Sequence, residues 1–130
     1  MPVQIRYLEA DQQGVVFNMW YLAYFDDAFS AFLARGGLDY VDMMASGVDA
    51  QLVHTEVDWT GSLRYGDEAT IGVELARLGT TSFTLAFTVR GPAGVVATGE
   101  TVYVVVGTDG SGKRPMPERL RNALQPGDMK

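Results

Sequence analysis

A chain of 130 residues, 47% hydrophobic and 20% charged, has the balance of a globular protein with a core of its own. Its net charge of −6 argues against general nucleic-acid affinity, and zero cysteines exclude disulfides, thiol chemistry and Cys-based zinc sites. No apolar run reaches the roughly 18 residues of a membrane span and no signal peptide is visible, so no membrane partner is expected and the cytoplasm is the expected compartment.

Val3, Ile5 and Tyr7 alternate with Gln4 and Arg6, the period of a short strand with one buried face. A connection follows, in which Asp11 stands three residues before Gly14. Glycine adopts backbone angles that other residues resist, so the chain can turn sharply there. It then enters a helix by way of Asn18, a favoured N-cap residue. From Met19 to Arg35 the period becomes helical. Tyr21, Phe25, Ala28 and Phe32 form a stripe that Leu22, Phe29 and Leu33 widen, and Gly36-Gly37 stops it. This aromatic helix is expected to be the centre of the core.

Asp39 reads as the N-cap of a shorter helix ending near Gly47. Beyond it the period is two. Strands are expected at Val53–Trp59, Ala69–Leu75, Phe83–Val89 and Val95–Val106, the last with valines on both faces and therefore central and covered on both sides. Asp109 to Gly112 is a turn, and Glu118 to Leu124 reads as a last helical turn or two. Residues 1–124 read as one domain and 125–130 as a flexible C-terminal tail. The pattern is α+β: one antiparallel sheet of five strands wrapped on one long helix. One helix cannot cover both faces of such a sheet, so a second copy of the chain is the expected cover.

Several chemistries drop out. The lone His54 falls on the polar face of a strand, with no nucleophile elbow to serve. No phosphate loop, no dinucleotide fingerprint and no metal-ligand pair is present, so neither a metal nor a cofactor is expected. Asp26 and Asp27 stand mid-helix, where Asp has poor propensity and no capping role. Asp11 stands where the first N–H groups of the aromatic helix lack intrahelical acceptors. A carboxylate beside such donors is equipped for carbonyl chemistry.

The run Arg6-Tyr7-x-x-x-Asp11-x-x-Gly14-Val15-Val16-Phe17-Asn18-x-x-Tyr21-Leu22-x-Tyr24-Phe25-Asp26 resembles the signature of the hotdog-fold acyl-CoA thioesterases. More narrowly it is similar to the 4-hydroxybenzoyl-CoA thioesterase group and its YbgC-like relatives. The likeness continues through Val57-Asp58-Trp59, Leu63 to Glu68, Thr81-Ser82-Phe83 and Pro115-x-Pro117, nearly the whole chain in order. The resemblance implies a helix wrapped by a five-stranded sheet and dimers with active sites at the subunit interface, as a homodimer or a homotetramer. It implies an acyl-CoA substrate, Asp11 as nucleophile or general base, and a backbone N–H near Asn18 polarising the thioester carbonyl. Gly14, Phe17, Trp20, Tyr21, Tyr24 and Asp26 are the residues it implies around the substrate.

Two departures from the family pattern stand out. Asn18 replaces a His found in many relatives, which leaves Asp11 to act with backbone donors alone. The basic run that meets the CoA phosphates is here Gly79-Thr80-Thr81, so Arg77, Lys113 and Arg114 become the candidates for that task. A non-catalytic hotdog module that binds acyl chains or mediates assembly is the competing reading. A hydratase of the same fold would want a His paired with the Asp, and nothing near Asp11 supplies one.

Overall fold

A computed structural model describes residues 1–125; residues 126–130, which include most of the expected tail, lie outside the described residues. Five strands form one antiparallel sheet: β1 (Pro2–Gln4), β2 (Val48–Trp59), β3 (Glu68–Leu78), β4 (Ser82–Gly91) and β5 (Gly94–Gly107). Their order across the sheet is β1-β3-β4-β5-β2. Among the described residues three helices accompany them: α1 (Trp20–Arg35), α2 (Tyr40–Ala45) and α3 (Glu118–Leu124), with a 3-10 turn at Tyr7–Glu9. This is the expected hotdog architecture, a curled sheet closed on one long helix.

The periodicities explain the packing. Along α1, Tyr21, Tyr24, Phe25, Ala28, Phe29 and Leu33 are buried at helical spacing. On the facing strands every second residue points at that helix: Phe83, Leu85, Phe87 and Val89 from β4, Thr101, Tyr103 and Val105 from β5. Phe25 stacks on Phe87 with ring centroids 4.5 Å apart, and Phe29 stacks on Tyr103 at the same distance. Gly99 leaves room for α1 against the sheet; a Cβ there would stand 2.8 Å from the Phe25 ring. The last helix is part of this core, because Leu120, Ala123 and Leu124 are buried. It crosses the C-terminal end of α1 at Gly36, where a Cβ would stand 2.3 Å from the Ala123 carbonyl oxygen.

Four local expectations change. The first strand ends at Gln4: the Ile5 N–H still donates to the Asp67 carbonyl at 2.9 Å, but from Arg6 the chain bends into the 3-10 turn, closed by the Glu9 N–H on the Arg6 carbonyl at 3.0 Å. Tyr7, expected on a buried face, is therefore exposed. Leu22, read into the helical stripe, lies at its flank and is exposed. Helix α1 starts at Trp20 and not at an Asn18 cap: Met19 already has helical angles, and no side chain caps the end. Strand β5 has β4 and β2 as neighbours, but α1 crosses only its inner face, and Val102, Val104 and Val106 on the other face stay half-buried.

Candidate active site

Residues 5–18 form a strap across one end of the sheet. The Val16 N–H donates to the Leu63 carbonyl at 2.7 Å, and the Gly66 N–H to the Ile5 carbonyl at 3.1 Å. Between these anchors the strap doubles back on itself: Ala10 bridges Val16, and the Asp11 N–H donates to the Val15 carbonyl at 2.8 Å. The tip closes with the Gly14 N–H on the Asp11 carbonyl at 3.0 Å. Gly14 holds a φ of +78°, which a side chain would resist.

Asp11 is half-buried, and its Oδ1 accepts the Gln13 N–H at 2.8 Å. Its other oxygen has no hydrogen-bond partner among the described residues. After Gly14 the chain runs into the helix through overlapping turns, with Trp20, Tyr21 and Leu22 N–H groups donating to the carbonyls of Phe17, Asn18 and Met19. The backbone N–H groups of Asn18 and Met19 have no acceptor among the described residues. They are orphan donors at the positive end of the helix dipole.

The groups implied around the substrate divide into two sets. Phe17 is 49% exposed and Trp20 half-buried, both beside the helix entrance. Tyr21 and Tyr24, by contrast, are buried in the single chain. Tyr21 meets Trp59, at the end of β2, edge to face at 5.9 Å. Asp26 lies further along α1 and lines a small cavity with Leu22, Leu52, Thr55 and Tyr103. Burial and then the neighbouring Asp27 carboxylate raise its pKa. His54 is exposed, 3.6 Å from Glu56.

Arg77, Lys113 and Arg114 are not brought to Asp11 within one chain. Val48 pairs with Gly107, Ser82 with Val104 and Leu78 with Phe83, which puts the three cations at one end of the sheet. The Asp11 strap is fastened to residues 63–67, at the other end. Arg114 is also engaged locally, with Nε donating to the Ser111 hydroxyl at 3.0 Å and Nη2 lying 3.5 Å from Asp109. Among the described residues no group of three or more His, Cys, Asp and Glu is placed to hold a metal ion.

Sequence reasoning passed over Glu9. Only 4% exposed, it accepts the Arg6 N–H on Oε1 at 3.0 Å and the Arg6 guanidinium on Oε2 at 2.8 Å. The Tyr24 hydroxyl donates to its Oε1 at 2.9 Å, and its own carbonyl accepts the Phe17 N–H at 2.9 Å. Glu9 thus ties the strap to α1 through Tyr24 and to its own far limb through Phe17. Its one sequence signal was a carboxylate three residues after Arg6. Burial by itself would raise the Glu9 pKa, but the Arg6 N–H, the Arg6 guanidinium and the Tyr24 hydroxyl together hold it below its ordinary 4.5.

A carboxyl depressed in the folded state stabilises the fold above its unfolded pKa and loses that contribution as pH falls through the folded one. Glu9→Gln is therefore expected to flatten the loss of stability below about pH 4.5. At neutral pH it should cost about 1.5–3 kcal/mol, the worth of hydrogen bonds to a charged group. Urea unfolding of both proteins across that range checks it; parallel curves would show that Glu9 does not carry the acid sensitivity.

One strap thus carries a carboxylate in its glycine turn and, a few residues on, two orphan N–H groups at the entrance of a helix wrapped by a sheet. A sequence profile of the thioesterase-like superfamily matches residues 5–124. The chain belongs to that superfamily. Membership brings the activity class expected from the sequence, thioester hydrolysis, together with the hotdog fold. Among relatives of this thioesterase, the 1,4-dihydroxy-2-naphthoyl-CoA hydrolase of Synechococcus elongatus is 27% identical over 123 residues, covering 93% of this chain and 90% of its own. A solved 1,4-dihydroxy-2-naphthoyl-CoA thioesterase from Synechocystis superposes with a TM-score of 0.89 at 19% identity, over 98% of this chain and 96% of that one. A solved gentisyl-coenzyme A thioesterase superposes with a TM-score of 0.88 at 21% identity, over 95% of this chain and 98% of its own. At those identities the two structures attest the fold.

Proposed function

We propose that this thioesterase hydrolyses an aromatic acyl-CoA, with Asp11 as the reacting carboxylate and the Asn18 and Met19 N–H groups holding the thioester oxygen. The observation that carries this is the unpaired carboxylate oxygen of Asp11 on the same strap as those two orphan donors. As charge builds on the carbonyl oxygen the donors gain strength, and one such donor is worth about 10²–10³ in rate. Either Asp11 takes a proton from water as the water attacks, or its oxygen attacks first and water cleaves the resulting anhydride. Both routes break the C–S bond, form a C–O bond, and release the acid and the CoA thiol. The aromatic class rests on the related enzymes, whose names carry dihydroxynaphthoyl and gentisyl groups, and on Phe17 in the strap and Trp20 just after it. Acyl-CoA is an intracellular metabolite, which makes the cytoplasm the setting.

The working unit is at least a dimer, paired along β2. That strand has β5 on one side only, and Leu52, Val53 and Trp59 on it are exposed beside Leu22 of α1. A two-fold axis beside β2 would run its partner antiparallel. The Val48 end of one copy would then lie against the Trp59 end of the other. The partner's cationic end, with its copies of Arg77, Lys113 and Arg114, would thereby reach the Asp11 end of this chain and could meet the CoA phosphates. Two such dimers would make the homotetramer.

The test is thiol release from a panel of aromatic and aliphatic acyl-CoAs, with the molecular mass followed by light scattering. Aromatic thioesters are expected to turn over fastest, on a dimer or larger. Turnover of aliphatic thioesters alone would overturn the aromatic assignment, and a fully active monomer would overturn the shared site.

A further inference from the structure

Outside the strap itself, one cation stands at its tip. The Arg64 guanidinium lies over Gly14, its Nη1 3.6 Å from where a Cβ on that glycine would be. The Arg64 backbone is held tightly: its N–H donates to the Asp67 carboxylate at 2.8 Å, its carbonyl accepts the Asp67 N–H at 3.0 Å, and it bridges Val15. The side chain, by contrast, makes no hydrogen bond and no ion pair among the described residues. It is a free cation on a fixed base, in a chain whose net charge is −6.

Beside it the surface is aromatic and bare. Tyr65 is 62% exposed and Tyr7 79% exposed, and their rings meet edge to face at 5.7 Å. Tyrosines exposed to this degree in contact with each other are an uncovered π surface, not part of the core. The patch lies toward the β1–β3 edge, where Gln4 donates to the Gly66 carbonyl at 3.0 Å, so pairing along β2 leaves it open.

We propose that Arg64, Tyr65 and Tyr7 form a nucleotide subsite on this chain, in which the guanidinium takes a phosphate of CoA and the tyrosines take its adenine. The chemistry matches the ligand: planar guanidinium binds phosphate through paired N–H donors, and aromatic faces stack on bases. The inference rests on the thioesterase reading, since it assigns the nucleotide end of the same substrate. The partner's Arg77, Lys113 and Arg114 approach across β2, the opposite edge of the sheet, so the two sets are rival holders of the nucleotide and the Arg64 and Tyr65 variants decide between them.

The decisive probe is adenosine 3′,5′-bisphosphate, which carries that end of CoA without a thioester, titrated into the intact protein by calorimetry. Binding is expected, weakened about tenfold by Arg64→Gln with a shallower salt dependence, and about three- to tenfold by Tyr65→Ala. In kinetics the same variants should raise KM for acyl-CoA, and the loss should be at least about fivefold smaller on the matching acyl-pantetheine, which lacks the nucleotide. No binding of the bisphosphate, equal losses on both thioesters, or a change of molecular mass in Tyr65→Ala would each overturn the subsite. Bisphosphate binding that the variants weaken, in a protein that cleaves no acyl-CoA, would uphold the subsite and remove the hydrolase reading instead.

Discussion

Asp11→Asn is expected to lower kcat by about 10²-fold or more, the scale of general acid–base catalysis, while the fold and the molecular mass stay as they are. The amide keeps the size of the side chain and an oxygen able to accept the Gln13 N–H, so the turn should hold. What it loses is both nucleophilicity and basicity. Because the orphan N–H groups of Asn18 and Met19 belong to the backbone, they persist in the variant. KM should therefore move little while kcat falls, the signature of an interaction made only on the way to the transition state. Asp26→Asn is the control: its carboxylate lies further along α1, beside Tyr103, and its loss should cost much less. If Asp26→Asn abolished turnover and Asp11→Asn spared it, the chemistry would belong to the helix carboxylate.

The largest effect on stability is expected at Gly36. This glycine has a φ of −83°, which any residue adopts, so conformational freedom is not what it contributes. It contributes the absence of a side chain: a Cβ would stand 2.3 Å from the oxygen, 2.7 Å from the Cα and 2.8 Å from the carbonyl carbon of Ala123. All three are backbone atoms of α3, so no rotamer change relieves the clash. Gly36→Ala should cost about 3 kcal/mol through overpacking, read as a lowered urea midpoint. A midpoint unchanged within error would mean that α3 does not lie against α1 as described.

How much of this was legible beforehand depends on how local each feature is. The helix was legible because Tyr21, Phe25, Ala28 and Phe29 declare one face by spacing alone. Leu22 misled because it borders that face, and only the position of β2 decides which side of the border it takes. The strands were legible from alternation, yet Tyr7 kept the alternating pattern after the chain had turned away. That turn is closed by Arg6 and Glu9, three residues apart, a spacing that alternation alone does not flag. Asp11 stood out because Gly14 three residues on marks a turn. Glu9 did not, since Tyr24, which makes sense of its burial, is 15 residues away. Arg77, Lys113 and Arg114 gather at one end of the sheet, but which end cannot be counted from spacing. It follows from the pairings of β5 with β2 and β4.

The strap that carries Asp11 also has a place in time. Strands β3, β4 and β5 follow one another through short turns, so their pairings close small loops and can form early. The N-terminal pairing is of another kind: Met1 bonds to Ile71, 70 residues away along the chain. Contacts of such long range must wait until the intervening chain has folded. The strap is thus expected to be laid down late, on a sheet that already exists, and to open before the sheet does. Catalysis in this fold would then be the most easily unmade part of the molecule, lost to local opening before Phe25 and Phe87 part.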